Sequence, residues 1–187
     1  MSSDREATSY PSGKSFYERM MPRIPDLVGQ PPSKELARAF WLIGDWETSG
    51  HVYAQGSQAE YSGGRTEIIR CSLVLDGHAL RFCSPAGEET AKKVSYLCVD
   101  PYDHTWVSID IEPNVVYQID RAPGWKGDAL EFEGRVRIFG DVAMWRHRLV
   151  RLSADEWRWE NDEQTADGTW LQIDYHWYRR VRVQPDR

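Results

Sequence analysis

The chain has 187 residues, a formal net charge of −6 and only three cysteines, against nine tryptophans and nine tyrosines. This length suits one domain with its own core, and the acidic balance excludes the basic footprint of a nucleic-acid binder. Cys71, Cys83 and Cys98 lack C-x-x-C spacing, and no apolar leader or spanning run occurs, so a disulfide scaffold, a zinc site and membrane attachment are excluded and a cytoplasmic protein is expected.

Residues 1–32 are polar and carry Pro11, Pro22, Pro25, Pro31 and Pro32. They read as an arm with one helical turn near residues 15–21. Phe16, Tyr17, Met20 and Met21 form an apolar patch on it, which leaves two readings: a lid over a barrel mouth, or a loose tail. Residues 33–187 form the domain. Ser33 is a good N-cap, and "KELARAFWLI" puts Leu36, Phe40 and Ile43 on one face of a short amphipathic helix that leads to Gly44.

Beyond Gly44 the period changes to two. Strands are predicted over 46–54, 65–75, 78–84, 92–99, 105–111, 115–121, 129–138, 143–152, 156–164 and 170–183. Turn sequences such as Asp76-Gly77, Asp100-Pro101, Lys126-Gly127-Asp128 and Ala166-Asp167-Gly168 separate them. Ten short strands joined by tight turns predict an all-β antiparallel meander that closes into a barrel and so removes its edges.

"GDWETSG" sets Gly44, Trp46 and Gly50 on one parity. The expectation is that Gly44 lets the chain enter the strand, Trp46 plugs the barrel base, and Gly50 relaxes the curvature or leaves room inside. An arginine of the last strand would close that end by stacking on the indole, with Arg179 the candidate.

The pieces "FWLIGDWETSG", "LVLDGHALRF", "YLCVDPYDHTWVSIDIEP", "LVRLSADEWRWENDEQTADGTW" and "IDYHWYRRV" span residues 36 to 182. Gly-x-Trp in the first strand with Tyr-Arg in the last resembles the lipocalin/calycin superfamily. More narrowly, the ordered set resembles the bacterial domain-of-unknown-function 1579 family. Asp76-Gly77-His78 departs from the Gly-Gly pair that family favours, and the arm is longer. The resemblance implies a barrel with a cavity; it implies no particular activity.

Alternation assigns the inner face. It places Trp46, Thr48 and Gly50 inward, then Glu67, Ile69 and Cys71, then Leu80 and Phe82, then Val94, Tyr96 and Cys98. Further along it places Val115, Tyr117 and Ile119 inward, followed by Trp145, His147 and Leu149, then Trp157, Trp159 and Asn161. Last come Tyr175, Trp177 and Arg179, with Asp174 and His176 outside. The strand at 105–111 stays open between Val107, Ile109, Ile111 and Trp106, Ser108, Asp110.

The interior is therefore expected to be apolar and aromatic with a few polar groups, as in a small-molecule site. Trp46, Ile69, Phe82, Trp145, Trp157, Trp159, Asn161 and Trp177 are the expected ligand-binding residues. His147 is the expected general acid or base, Glu67 orients it or acts as base, and Tyr96, Tyr117 and Tyr175 donate to a carbonyl or enolate oxygen. This set points to cofactor-independent chemistry on a small hydrophobic molecule: cyclisation, isomerisation, dehydration or a lyase step. Two alternatives stand beside it. One is a passive carrier or sensor; the other is a haem-binding barrel using His176 of the last strand. No G-x-S-x-G, metal-spaced histidine set or phosphate loop is present, so no metal is expected. A homodimer is the default assembly.

Overall fold

The computed structural model describes residues 31–53, 60–61, 67–84, 93–112, 116–138 and 140–182, together with Ser15, Glu18 and Pro22. The chain falls into two compact units, Met1–Pro31 and Pro32–Arg187. In the first, Ser15 and Glu18 form a reciprocal capping box: the Glu18 amide donates to Ser15 Oγ at 3.2 Å, and the Ser15 amide to the Glu18 carboxylate at 2.8 Å. The apolar patch at 16–21 and its role as a lid lie outside the described residues.

The second unit opens with a 3-10 helix, Leu36–Leu42. Ser33 Oγ accepts from the Glu35 amide at 3.2 Å. With three residues per turn, positions 36, 39 and 42 stack, and Leu36, Ala39 and Leu42 are the buried face. The expected face of Leu36, Phe40 and Ile43 assumed an α-helical period. Phe40 and Ile43 are instead exposed.

Strands follow as β1 (Gly44–Tyr53), β2 (Glu60–Tyr61), β3 (Glu67–Val74), β4 (Ala79–Cys83), β5 (Val94–Val99), β6 (Trp106–Glu112), β7 (Val116–Ala122), β8 (Trp125–Lys126), β9 (Ala129–Ile138), β10 (Asp141–Arg151), β11 (Glu156–Gln164) and β12 (Trp170–Arg180). Of these twelve, β2 and β8 are two-residue additions to β1 and β9. The other ten pair in sequence order, every pair antiparallel, and β12 returns to β1. The protein is thus an all-β antiparallel barrel of ten strands, closed at the β12–β1 seam.

The closed end is built on Trp46. Its indole is fully buried, and its Nε1–H donates to the Leu42 carbonyl at 2.6 Å. Trp41 and Trp157 meet it edge-on at 6.4 and 6.1 Å, and Leu36, Leu80, Trp106, Leu130 and Leu149 fill the surroundings. The partner from the last strand is Arg180, not Arg179. The Arg180 guanidinium lies 4.2 Å from the Trp46 ring centroid. It also donates to the carbonyls of Ile43 at 3.0 Å and Trp41 at 2.6 Å, and pairs with Asp155 at 3.3 Å. The register decides this: Trp46 pairs Arg180, and side chains of paired residues share a face. Gly44 is needed on two counts. Its φ is +136°, and an added Cβ would lie 2.7 Å from Arg180 Nη1.

Arg180→Ala is therefore expected to cost about 2–4 kcal/mol in urea unfolding, because two carbonyls lose a charged donor and the buried indole loses its cover. Arg179 is 71 % exposed, and Arg179→Ala is expected to cost under about 0.5 kcal/mol. Equal losses would place the seam elsewhere.

Candidate functional site

Carried round the barrel from Trp46, the register gives every strand an inner face. Towards the closed end that face is apolar. Towards the other end it carries Ser95, Ser108, Asp110, Gln118, Asp120, His147, Asn161, Asp174, His176 and Tyr178. Several of these are buried: Ser108, Asp110, Gln118, Asp120, His147 and Asn161. Buried polar groups are costly unless each finds a partner, and here they form a connected belt.

His147 is its centre. Asn161 is oriented by two neighbours: Trp159 Nε1–H donates to Asn161 Oδ1 at 2.8 Å, and Asn161 Nδ2 donates to Asp174. Asn161 Oδ1 is therefore an acceptor, and His147 Nδ1, 2.5 Å away, must carry its proton. The other nitrogen, Nε2, faces two groups of opposite character. Asp120 Oδ2 lies 3.0 Å away, and the Gln118 side-chain nitrogen contacts it too. A neutral imidazole accepts from Gln118, and a protonated one donates to Asp120. Nε2 has a partner in either state, as proton transfer requires. Trp145 and Trp159 flank the ring, with centroids 5.7 and 5.5 Å from it.

A second cluster adjoins it. Lys93 Nζ lies 3.0 Å from Asp110, which also receives Ser95 Oγ at 2.5 Å and Ser108 Oγ at 3.3 Å. Burial works against the Asp110 charge, but the attraction of Lys93, whose side chain is 46 % exposed, outweighs it. Asp110 is held below the ordinary carboxylate range, helped by the Ser95 hydrogen bond, and Lys93 above the ordinary ammonium range. Tyr178 stacks on Trp157 at 3.7 Å and is hydrogen-bonded to Thr48. Burial pushes its phenol up, against the pull of Lys93.

The structure brings together only part of the expected site. His147, Asn161, Trp145 and Trp159 meet as expected. Ile69 and Phe82 line the inner face, while Trp46 and Trp157 are packed into the closed end. Glu67 shares the inner register but is exposed at the strand start, and Asp120, Gln118 and Asn161 take the role assigned to it. The three tyrosines face away from the interior, contrary to expectation. Tyr96 pairs Arg81 on the outer face, Tyr117 is 66 % exposed, and Tyr175 lies outside beneath Arg158. Trp177 is also outside, under the same guanidinium at 5.1 Å. Conversely, Asp174 and His176 face in. Val94, Cys98 and Ile119 likewise face out, and β6 turns Trp106, Ser108 and Asp110 inward.

The physical reason is common to β5, β6 and β7. Away from the closed end their inner face is polar and the outer one apolar, the inverse of the alternation rule. Two glycines in strand interiors were the available signal. An added Cβ at Gly50 would lie 2.5 Å from His176 Nδ1, and one at Gly134 would fall on Asp120 Oδ1. Each is absent to make room for an inner polar side chain.

The Lys93–Asp110 pair fixes a pH dependence. Asp110 is depressed, so its contribution is present above the ordinary aspartate range and lost as pH falls through its lowered value. Lys93 is raised, so its contribution holds below the ordinary lysine range and is lost as pH climbs past it. Thermal melts should show wild type losing more stability than Asp110→Asn below about pH 4, and more than Lys93→Met above about pH 10.5. Parallel curves would deny the pairing.

No family model matches the chain, and no curated protein does. Among solved structures it is similar to the crystal structure of Rv2717c from M. tuberculosis, at 15 % identity over 81 % of this chain and 99 % of that one, with a TM-score of 0.50. At that identity the likeness shows the fold alone, an all-β barrel.

Proposed function

We propose that the barrel is lipocalin-like, that it binds a small, largely apolar molecule against the inner belt, and that His147 moves a proton on it without a cofactor. The observation that carries this is His147 Nε2, set between a donor, Gln118, and an acceptor, Asp120. Trp145, Trp159 and Phe132 supply aromatic surface around it, and Lys93 and Tyr178 supply donors to a developing oxyanion. The Gly44-x-Trp46 opening stacked by Arg180 supports the lipocalin-like assignment. The three free cysteines and a cytoplasmic setting agree, and no helix among the described residues is long and apolar enough to cross a membrane.

Proton transfer can be tested before the substrate is known. Aryl ketones incubated with the protein in heavy water are expected to exchange their α-protons, followed by NMR. His147→Gln should slow this by about 10²–10⁴-fold, the usual worth of a positioned base. A His147→Gln variant that binds and exchanges as well as wild type would reduce the protein to a carrier or remove His147 from the chemistry.

One observation favours the haem alternative: His176 faces inward. Its ring nitrogens fit poorly, however. Nε2 lies 3.5 Å from Asp174 Oδ1, which would compete with iron for it, and Nδ1 faces the Gly50 backbone. Haemin added to the purified protein is expected to give no bound Soret band. A band that is lost in His176→Ala would replace the present proposal.

A further inference from the structure

The outer wall of the barrel carries a charge pattern that its own strands do not use. Odd-numbered positions of β9 point outward, because Phe132 pairs with His147 and shares its inner face. Along the strand they read Glu131, Glu133, Arg135 and Arg137, acids first and bases after. The arginines of the neighbouring strands are paired within the chain. Arg121 of β7 reaches Asp100, and Arg146 of β10 reaches Asp162. Glu133 stands between these two arginines in the register, yet both turn to other acids. Among the described residues Glu133, Arg135 and Arg137 make no ion pair. Glu131 has Lys126 at 3.5 Å, a loose contact with a lysine that is 71 % exposed.

The strip is apolar on both sides. The register sets Tyr117 of β7 and Val142 of β10 beside Arg137, with Ile111 of β6 beyond Tyr117. Met144 of β10 lies beside Arg135. Tyr117, Ile119 and Val142 are 66, 64 and 64 % exposed. A run of exposed apolar side chains around charged ones marks a surface that meets something.

We infer that this wall is the interface of a two-fold dimer, with β9 lying antiparallel across β9 of a second copy and centred on Gly134. That overlay exchanges position 131 with 137 and 133 with 135. Each acid then meets a base: Glu131 faces the partner's Arg137, and Glu133 faces the partner's Arg135. The two-fold operator repeats both pairs. A parallel overlay would set like charge on like, and one centred on Arg135 would set that residue on its own copy. Barrel walls are convex, so two copies touch along a strip, and the pattern is confined to one strand. A single exposed ion pair contributes little; here the pairs come in series, and Tyr117, Ile119 and Val142 screen them from water. A wholly anionic partner would answer the arginines but be repelled by Glu131 and Glu133. The inference is independent of the small-molecule site proposed above.

Sedimentation equilibrium of the full chain over a concentration series is expected to show a reversible dimer that weakens as salt is raised. Arg135→Glu and, separately, Glu133→Arg should each weaken it at least about tenfold, because each sets like charges together across the two-fold. Both substitutions in one chain reverse the pair and keep its signs opposite. That double variant should associate to within about threefold of wild type. Both residues are exposed, so the variants are expected to keep the fold, as circular dichroism would check. A chain that stays monomeric throughout, a dimer indifferent to the single substitutions, or a double variant as weak as the singles would overturn the inference.

Discussion

The stacking of Arg180 on Trp46 is the constraint on which everything else depends. It joins the last strand to the first, and it does so inside the barrel rather than along its outer wall. Because the guanidinium also holds the carbonyls of Trp41 and Ile43, the entering helix, the first strand and the last strand meet at one cation. A sheet closed in that way has no edge there, and the inner face acquires a defined floor. Gly44 is the local concession: only a residue without a side chain takes that backbone and leaves the guanidinium its place.

A floor of indoles lets the rest of the interior be polar. Trp46, Trp106 and Trp157 bury large apolar side chains at one end, so the belt beyond them can be polar. Its members are nonetheless partnered in series: Asp120 to His147, His147 to Asn161, Asn161 to Asp174. Each link constrains the next, so the tautomer of His147 is set through Asn161 by the Trp159 indole N–H and the Asp174 carboxylate. The outer wall over the same strands is laced with ion pairs instead. Arg146 and Arg148 reach Asp162 and Glu160, which are buried beneath them. Rigid walls and oriented polar side chains are what a site acting on a bound molecule needs.

Much of this was legible in the sequence. The bounds of β9 and β11 follow directly from period two and their flanking turns. His147, Trp159 and Asn161 could be placed because Arg146, Arg148, Arg158 and Glu160 fill the opposite positions, so polarity and parity agree there. In β5–β7 they disagree. Tyr96, Ile109, Tyr117 and Ile119 look like a core and face out, while Ser108, Asp110, Gln118 and Asp120 look like surface and face in. A rule that sends apolar residues inward fails wherever the inside is built for polar contact. In β12 the cause is different. The pairing with β11 shifts between Asn161 and Asp162, so the apolar residues at the strand start give the wrong parity for Asp174 and His176.

The two interior glycines connect these failures to function. A strand gains nothing from glycine in its middle: it loses packing and stiffness. Gly50 and Gly134 stand on opposite sides of the His147–Asn161 pair, and each faces a side chain that the alternation rule put elsewhere or passed over. Removing a Cβ at both points admits an imidazole beside Asp174 and a carboxylate beside His147. Places where local sequence preference is sacrificed without structural return are the places where a fold serves something other than its own stability. Here both lie on the inner face, near His147, whose Nε2 can be satisfied with or without its proton.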